Sequence, residues 1–405
     1  MPIVMDFLYK YAFLIIPIIK IAILLFVVLT VNAYLTLLER KVIAHIQARW
    51  GPHRVGPHGL LQPLADGLKF IFKEDPMPVG VDKFAFFLAP FLTLMLSLTA
   101  LAVIPFSAQR FTLWGYTTGI GIADLDISLL VLFAITALGV YGIALAGWAS
   151  NSKYSLLGGL RSSAQMISYE LTLTLSVVGV LLIAGDFNLS GIVGQQAGSG
   201  HGLISWNIFP QIIGFTCFFI AAIAETNRVP FDLPEAESEL VAGFHTEYAS
   251  MKFAMFFIGE YTSMIAVSSL ATILFFGGWL SPFPDSWTFT HYLPSLLLIP
   301  LGLWCIYDGI KYETIFGKIL LPGAGFALAA AGFALILFPF VNDLIQGLFW
   351  FSLKVFIFLF VYIWMRATLP RFRYDQLMAF GWKFLLPLAL LNVMVIAAIK
   401  SRVCM

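Results

Sequence analysis

Long apolar runs separated by short polar segments dominate the hydrophobic pattern of this chain. A membrane-spanning helix needs about 20 predominantly apolar residues, and runs near that length recur from one end to the other. The pattern predicts ten spans, placed near 12–37, 84–105, 127–148, 166–184, 208–224, 252–276, 292–307, 319–340, 350–366 and 382–399. No stretch remains for a soluble domain, so the prediction is one all-α polytopic membrane domain over residues 1–405.

The region 280–345 has two interpretations. YLPSLLLIPLGLWCIY is short and interrupted by proline, whereas ILLPGAGFALAAAGFALILFPF is long but rich in Gly and Ala. A re-entrant hairpin is the alternative to two complete spans.

Residues 59–74, GLLQPLADGLKFIFKE, have a different pattern. Apolar residues recur at helical spacing on one face and polar residues occupy the other, which predicts an amphipathic helix lying flat on the membrane surface. Pro63 fits its first turn. Asp66 favours a functional role over a simple anchor, because this acid has apolar neighbours close to the membrane.

The basic residues favour one side of the predicted bundle. If the loops after the odd-numbered spans face the cytoplasm, as positive-inside asymmetry requires, both termini face outside. That layout places 17 of the 23 basic residues on the cytoplasmic side: Arg40, Lys41, Arg49, Arg54, Lys69, Lys73, Lys83, Lys153, Arg161, Arg228, Lys252, Lys311, Lys318, Arg366, Arg371, Arg373 and Lys383.

Composition excludes several classes of function. With 60% hydrophobic residues, 11% charged residues and a mean hydropathy of +0.92, the chain is an integral membrane protein. A net charge of +1 without a basic patch argues against nucleic acid as a partner. The three cysteines and the histidines show no metal or cluster spacing, so no metal site is expected.

An acidic segment interrupts the apolar sequence at residues 225–247, within a loop at 225–251 that is predicted to be cytoplasmic. It holds six of the 22 acidic residues, namely Glu225, Asp232, Glu235, Glu237, Glu239 and Glu247. Closely spaced carboxylates titrate as a coupled set and can hold and pass protons. His245 lies in the same segment and is a candidate to assist proton transfer.

Glu170 and Glu260 fall inside predicted spans or near their ends, where charge is expensive and usually functional. The alternative is a neutral acid that donates one interhelical hydrogen bond, worth about 1 kcal/mol. Lys20 lies inside the first span with no partner evident from the sequence.

Several strings together resemble one known family. LLERKVIAHIQARWGPHRVGPHGLLQPLADGLK, QMISYELTL, ETNRVPFDLPEAESELV, MKFAMFFIGEYTSM and IWMRATLPRFRYDQLMAFGWK are similar to the H membrane subunit of NADH-quinone oxidoreductase (respiratory complex I), which lies at the junction with the hydrophilic arm. The resemblance covers about residues 10–400. The family pattern has two fewer spans in the region 280–345, so the chain is expected to carry an inserted hairpin there.

The resemblance implies a subunit that forms part of a quinone chamber and couples quinone reduction to proton translocation. Ubiquinone and menaquinone both remain open, flavin and iron–sulfur clusters are expected on partner chains, and a bacterial inner membrane is the expected location. PRFRYDQL, at 370–377, is expected to dock the hydrophilic arm. The candidates for the chamber are Arg49, Trp50, Arg54, Asp66, Arg228, Phe231, Phe257, Ile258 and Arg366. The candidates for a proton relay are Glu170, Glu225, Glu235, Glu237, Glu239, Glu247 and Glu260.

Three other functions remain open at this point. One is the homologous membrane subunit of an energy-converting hydrogenase-type complex. Another is a proton-coupled secondary transporter, disfavoured by the absence of a convincing internal repeat. The third is a passive scaffold for the hydrophilic arm, in which the acids carry no protons.

Overall fold

The structure of the protein is a computed structural model, which describes residues 2–113, 116–198, 202–232, 242–284, 287–312 and 315–403. Helices dominate these ranges. The α-helices are α1 (Pro2–Ile46), α2 (Gln62–Phe72), α3 (Lys83–Val103), α4 (Ser128–Ala149), α5 (Lys153–Ala184), α6 (Leu189–Ala197), α7 (Ile212–Glu225), α8 (Ser250–Phe275), α9 (Leu293–Lys311), α10 (Ile315–Leu337), α11 (Pro339–Thr368), α12 (Tyr374–Phe380) and α13 (Leu386–Val403).

Nine helical segments among the described residues are long and apolar enough to cross a membrane. The prediction of an all-α polytopic membrane bundle is therefore confirmed. A helix lies over each of the ten predicted spans, but α7 has only 14 residues and is about 21 Å long. Turns at residues 207–211 replace the expected start of that span.

The largest error in helix boundaries concerns α5, which begins at Lys153 and not at residue 166. The polar, glycine-containing sequence before residue 166 is typical of a loop, yet it is helical and tightly packed. A Cβ atom on Gly158 would lie 2.7 Å from the backbone of Gly243, and one on Gly159 would lie 3.1 Å from the backbone of Gly147. Only glycine permits such close backbone packing, which sets this turn of α5 against the segments of Gly147 and Gly243.

The core of the bundle surrounds α8, whose residues from Thr262 onward are almost all buried. It packs against α3, α7 and α11. Phe275 and Phe218 are fully buried where α8 meets α7, with ring centroids 5.5 Å apart. One polar bond crosses from α1 into this core, in which Asn32 donates to the Thr262 hydroxyl at 2.8 Å.

Contacts between helix ends place the termini of the spans at two opposite ends of the bundle. We call the end that carries Ile46, Lys311 and Thr368 the basic end. At the opposite end, Lys354 of α11 donates to the carbonyls of Phe276, Gly278 and Leu280, at 2.7, 2.9 and 2.7 Å. These bonds hold the chain as it leaves α8.

Lys20 also makes its hydrogen bonds at the opposite end of the bundle. Its ammonium group donates to Thr118 and Gly119, and to the carbonyl of Gly121 at 3.0 Å. These acceptors belong to or follow a small antiparallel pair of strands, β1 (Arg110–Leu113) and β2 (Tyr116–Gly119), which the sequence pattern did not predict.

The amphipathic segment forms α2, shorter than the predicted range 59–74. None of its residues is buried, and Leu64, Leu68, Ile71 and Phe72 are exposed. An apolar face left uncovered at the basic end is the arrangement expected of a helix at a membrane surface or under a partner protein.

Helices α9 and α10 form an antiparallel hairpin in which each covers the other. Gly302 and Gly325 bring the backbones together, because a Cβ atom on Gly302 would lie 2.5 Å from the Gly325 carbonyl oxygen. The helices contain 19 and 23 residues, or about 29 and 35 Å, against a bilayer core of about 30 Å. These lengths favour two complete spans over a re-entrant hairpin.

Candidate functional site

A buried group of side chains lies between α1, α8 and α11 at the basic end. Its centre is Glu39, which is 5% exposed. Tyr261 donates to Glu39 Oε2 at 2.6 Å, and Arg366 donates to Oε1. Arg228, in the segment after α7, places Nη1 3.7 Å from the same Oε1. We call these four residues the Glu39 cluster.

The Glu39 cluster joins four segments of the chain through a buried charge. Arg228 is as deeply buried as Glu39, and its guanidinium group lies 4.3 Å from the centroid of the Tyr261 ring. A buried ion pair stabilises little by itself, but removing one partner costs about 3–5 kcal/mol because the other charge is left uncompensated. The cluster therefore makes the positions of α1, α8 and α11 depend on each other.

A second pair uses the next residue of α1. Arg40 Nη1 lies 2.7 Å from Asp66 Oδ2, and Gln62 donates to Asp66 Oδ1 at 2.9 Å. Successive helical residues point about 100° apart, so Glu39 faces the core while Arg40 faces α2. The Arg40–Asp66 pair is partly exposed and adds at most about 1 kcal/mol of stability, but it orients α2 against α1.

Three of the proposed chamber residues lie in the segment 47–61, which we call the α1–α2 loop. Arg49, Trp50 and Arg54 are exposed there, and Trp50 is 82% exposed. These side chains are free to meet a partner protein or a ligand at the basic end.

The apolar chamber candidates occupy other positions. Phe231 is buried and stacks on Phe372 with ring centroids 5.6 Å apart, so it serves packing. Phe257 and Ile258 are half-buried on α8, and the Phe257 ring centroid lies 4.6 Å from that of Phe253. Of the nine proposed chamber residues, Arg228 and Arg366 share one partner, because both lie against Glu39 Oε1.

A cavity of about 60 Å³ lies between α3, α4, α7 and α8 and holds two of the proposed relay acids, Glu225 and Glu260. Thr93, Ser97 and Asn227 also line it, among apolar side chains. A polar cavity of this size has room for water, which needs about 10–15 Å³ of such volume and two to four polar partners. The two carboxyl groups thus share a space that water can occupy.

Glu170 of α5 lies close enough to Glu225 for the two carboxyl groups to interact electrostatically, and the phenol of Tyr362 is also near Glu225. The side chains of Glu170 and Glu225 are both half-buried. Glu247 is half-buried in the segment before α8. The remaining relay candidates, Glu235, Glu237 and Glu239, lie outside the described residues.

A single turn after α7 connects the cavity to the Glu39 cluster. Glu225, Thr226 and Asn227 line the cavity, and Arg228 reaches Glu39. Gln165 of α5 is fully buried and holds this turn, because its amide donates to the carbonyls of Ala224 and Phe231, both at 2.8 Å, and to Asn227 Oδ1 at 3.3 Å.

The segment 370–377 lies against the start of the acidic segment. Arg371 Nη2 lies 2.8 Å from Asp232 Oδ2, and Phe372 donates its backbone N–H to the Pro230 carbonyl at 3.0 Å. Arg373 and Asp375 are exposed beside it. One side of this segment is thus tied to the bundle, and the other side is available to a partner.

An apolar slot of about 460 Å³ opens between α1 and α11 at the basic end. Its lining residues are Lys41, Val42, His45, Ile46, Phe360 and Trp364.

His245 is buried among aromatic rings, with its ring centroid 5.1 Å from that of Phe244 and 5.4 Å from that of Phe253. Over the part of the chain that the structure describes, no group of three His, Cys, Asp or Glu side chains is arranged to hold a metal ion.

Sequence reasoning missed Glu39, Tyr261 and Gln165. Glu39 had an available signal, because it is an acid near the basic end of the first span, inside the string LLERKV. Tyr261 and Gln165 had none, since a tyrosine or glutamine on a membrane helix is ordinary until its partner is known.

Comparisons with known proteins all point to one family. A family model described as NADH dehydrogenase matches residues 19–397. An NADH-quinone oxidoreductase H subunit of Solibacter usitatus (strain Ellin6076) is 52% identical over 389 residues, which cover 95% of this chain and 96% of that protein.

Two further relatives are similar over comparable lengths. An NADH-quinone oxidoreductase H subunit of Koribacter versatilis (strain Ellin345) is 49% identical over 95% of this chain and 97% of its own length. A protein of the same designation from Geobacter metallireducens (strain ATCC 53774 / DSM 7210 / GS-15) is 45% identical over 93% of this chain and 94% of its own length.

Proposed function

This chain belongs to the NADH dehydrogenase family and is a membrane subunit of NADH-quinone oxidoreductase, and on that premise we propose which of its residues serve the reaction. The Glu39 cluster forms part of the wall of the quinone chamber. Glu225, Glu170 and Glu260 form the first part of a relay that couples quinone reduction to proton translocation.

The observation that carries this proposal is the turn 225–228. It places Arg228 in the Glu39 cluster and Glu225 in a cavity with Glu260. A change of charge or position at the cluster can therefore reach the carboxylates through the turn 225–228, which Gln165 holds in place. Chains of packed and hydrogen-bonded groups of this kind can carry coupling between two sites.

The chemistry of the cluster suits a quinone. Reduction of a quinone consumes two electrons and two protons and yields a quinol, so negative charge develops on its carbonyl oxygens before protonation. Arginine donors near such oxygens stabilise that charge, most effectively in a site that excludes water, and Arg366 is the partly exposed arginine of the cluster. The isoprenoid tail needs an apolar channel, which the slot beside Lys41 and Trp364 supports at the same end of the bundle.

The relay acids suit proton transfer for a different reason. Glu170 and Glu225 interact electrostatically, and Glu225 and Glu260 share a cavity. Coupled carboxylates titrate as a set, so adding charge at one site moves a proton at another. Reduction at the quinone would thus shift protons among these acids, which partner membrane subunits then use.

The remaining chemistry belongs to partner chains. The other subunits of the complex are the partners that family membership implies. We assign flavin, iron–sulfur clusters and NADH to the hydrophilic arm, which would dock on the basic end through the α1–α2 loop, the acidic segment and the exposed side of 370–377. The proposed location is a bacterial inner membrane with the basic end in the cytoplasm.

This orientation predicts a labelling pattern in a variant whose native cysteines are replaced by serine. A cysteine at Ile204 should react with an impermeant maleimide from outside intact cells, because residue 204 is exposed at the opposite end. A cysteine at Lys311 should react only after permeabilisation, and one at Arg373 only after permeabilisation and removal of the hydrophilic arm. External labelling at Lys311 alone would show that α9 and α10 do not both cross the membrane.

Asp66→Asn tests the assignment to the quinone path. We expect the KM for quinone to rise about three- to tenfold, because the Arg40–Asp66 pair that orients α2 is lost. Electron transfer from NADH to ferricyanide, which bypasses the quinone, should remain normal. The matched control is Asp124→Asn, which breaks an exposed pair with Arg110 at the opposite end. Equal changes in the two variants, or loss of ferricyanide activity in an assembled complex, would argue against the quinone path.

A further inference from the structure

The α9–α10 hairpin contacts the α1–α2 loop at the basic end. His58 Nε2 lies 2.7 Å from Asp308 Oδ2, and the backbone N–H of His58 donates to the Tyr312 hydroxyl at 3.0 Å. The His58 and Tyr312 rings also meet edge to face, with centroids 5.3 Å apart. The end of the hairpin is thus joined to one residue of the loop by three separate contacts.

The geometry defines the hydrogen-bonding state of His58. A carboxylate only accepts hydrogen bonds, so Nε2 must carry a proton and donate it to Asp308. The His58 carbonyl accepts a hydrogen bond from Lys41 of α1. The side chain, N–H and carbonyl of His58 therefore all have partners, two on the hairpin and one on α1.

The backbone of this part of the loop needs such support. His58 has a φ of +49°, in the left-handed region that residues other than glycine adopt at a cost. Gly59 follows at +75°, where a Cβ atom would lie 2.3 Å from the Pro52 carbonyl oxygen. The loop is folded back tightly on itself, and the contacts of His58 hold that fold from outside.

We propose that Asp308 and Tyr312 are positioning residues, and that the α9–α10 hairpin is a brace that fixes the α1–α2 loop through His58. The loop carries Arg49, Trp50 and Arg54 on its exposed side and leads directly into α2. By fixing His58, the brace sets where these side chains stand beside the quinone path. This kinetic consequence rests on the proposed function, whereas the brace itself does not.

The brace acts locally and does not hold the whole fold together. The side chains of His58 and Asp308 are 50% and 28% exposed, and a pair exposed to this extent adds little to global stability. The hairpin covers itself through its own glycine contacts. Removing the brace should therefore free the loop while leaving the bundle assembled.

The test uses the intact purified complex with Asp308→Asn, Tyr312→Phe or His58→Asn in this chain. Asparagine tolerates the left-handed region, so His58→Asn removes the side-chain bond without straining the backbone. Hydrogen exchange of the backbone amides of residues 47–61 should be faster by about tenfold or more in each variant, because local opening becomes easier. The KM for quinone should rise about threefold or more, with kcat within about twofold of the parent.

Tyr307→Phe is the matched control, because Tyr307 contacts Lys311 within the hairpin itself. It makes the same chemical change on the same hairpin. Asp308→Glu should partly restore slow exchange. In the double variant of His58→Asn and Asp308→Asn, the loop amides should exchange no faster than in either single variant.

Loop exchange in the Asp308→Asn and Tyr312→Phe variants that equals the Tyr307→Phe control would overturn the brace. Faster loop exchange with an unchanged KM would uphold the brace and count instead against the assignment of the α1–α2 loop to the quinone path.

Discussion

Glu39→Gln should lower NADH:quinone reductase activity by at least about tenfold, which corresponds to about 1.4 kcal/mol of lost transition-state stabilisation. Glutamine keeps the size of Glu39 but removes the negative charge that Arg228 and Arg366 share. Both guanidinium groups then lose their shared ionic partner, and we expect the wall of the proposed quinone chamber to rearrange. NADH:ferricyanide activity should be retained, because it requires only the hydrophilic arm.

Three companion variants make this prediction specific. Glu39→Asp retains the charge at shorter reach and should lose less activity. Tyr261→Phe removes one hydrogen-bond donor to Glu39 and should lower the stability of the chain by about 1 kcal/mol. Glu74→Gln makes the same chemical change at an exposed position and should have no effect. Parental quinone reductase activity in an assembled Glu39→Gln complex would remove the Glu39 cluster from the quinone site.

Glu225→Gln and Glu170→Gln should each depress quinone reduction and proton translocation together, by about tenfold or more, while NADH:ferricyanide activity remains. Glutamine preserves the shape of the side chain but cannot titrate. In a tightly coupled machine, a stalled proton step stalls the redox step. The measurement is the number of protons translocated per quinone reduced in reconstituted vesicles.

The control for the relay is again Glu74→Gln. The conservative changes Glu225→Asp and Glu170→Asp should depress quinone reduction and proton translocation less, because they keep a titrating group. A parental rate and stoichiometry in both glutamine variants would exclude these acids from the relay. The chain would then be a scaffold for the hydrophilic arm, and proton transfer would lie elsewhere in the complex.

The membrane architecture was predictable because it follows from local composition. An apolar run of about 20 residues has few stable arrangements other than a helix across the bilayer, so a helix lies over every predicted span. Boundaries were less predictable. The start of α5 depends on Gly158 and Gly159 packing against backbone outside their own helix, in part far away in the sequence, and no window along the chain contains that packing.

The site was predictable only in part. Glu225 and Glu260 were singled out because charge near a membrane is costly wherever it occurs, and Arg228 and Arg366 were chamber candidates because of the family resemblance. Their grouping was not visible, because Glu39 and Arg366 are separated by 327 positions. Phe231 was proposed for the chamber and stays a prediction; in the structure it is buried and stacks on the exposed ring of Phe372.

The sequence by itself determined the class of protein, the order of its membrane helices, and the family, because apolar length and long motif strings are properties of consecutive residues. The tertiary structure decided which charges meet. It placed Glu39 between two arginines, Glu225 and Glu260 in the lining of one cavity, and His58 against Asp308. A membrane helix can pack on its neighbours in many rotations that satisfy its hydrophobic pattern equally well, so these pairings exist only once all the helices are in place.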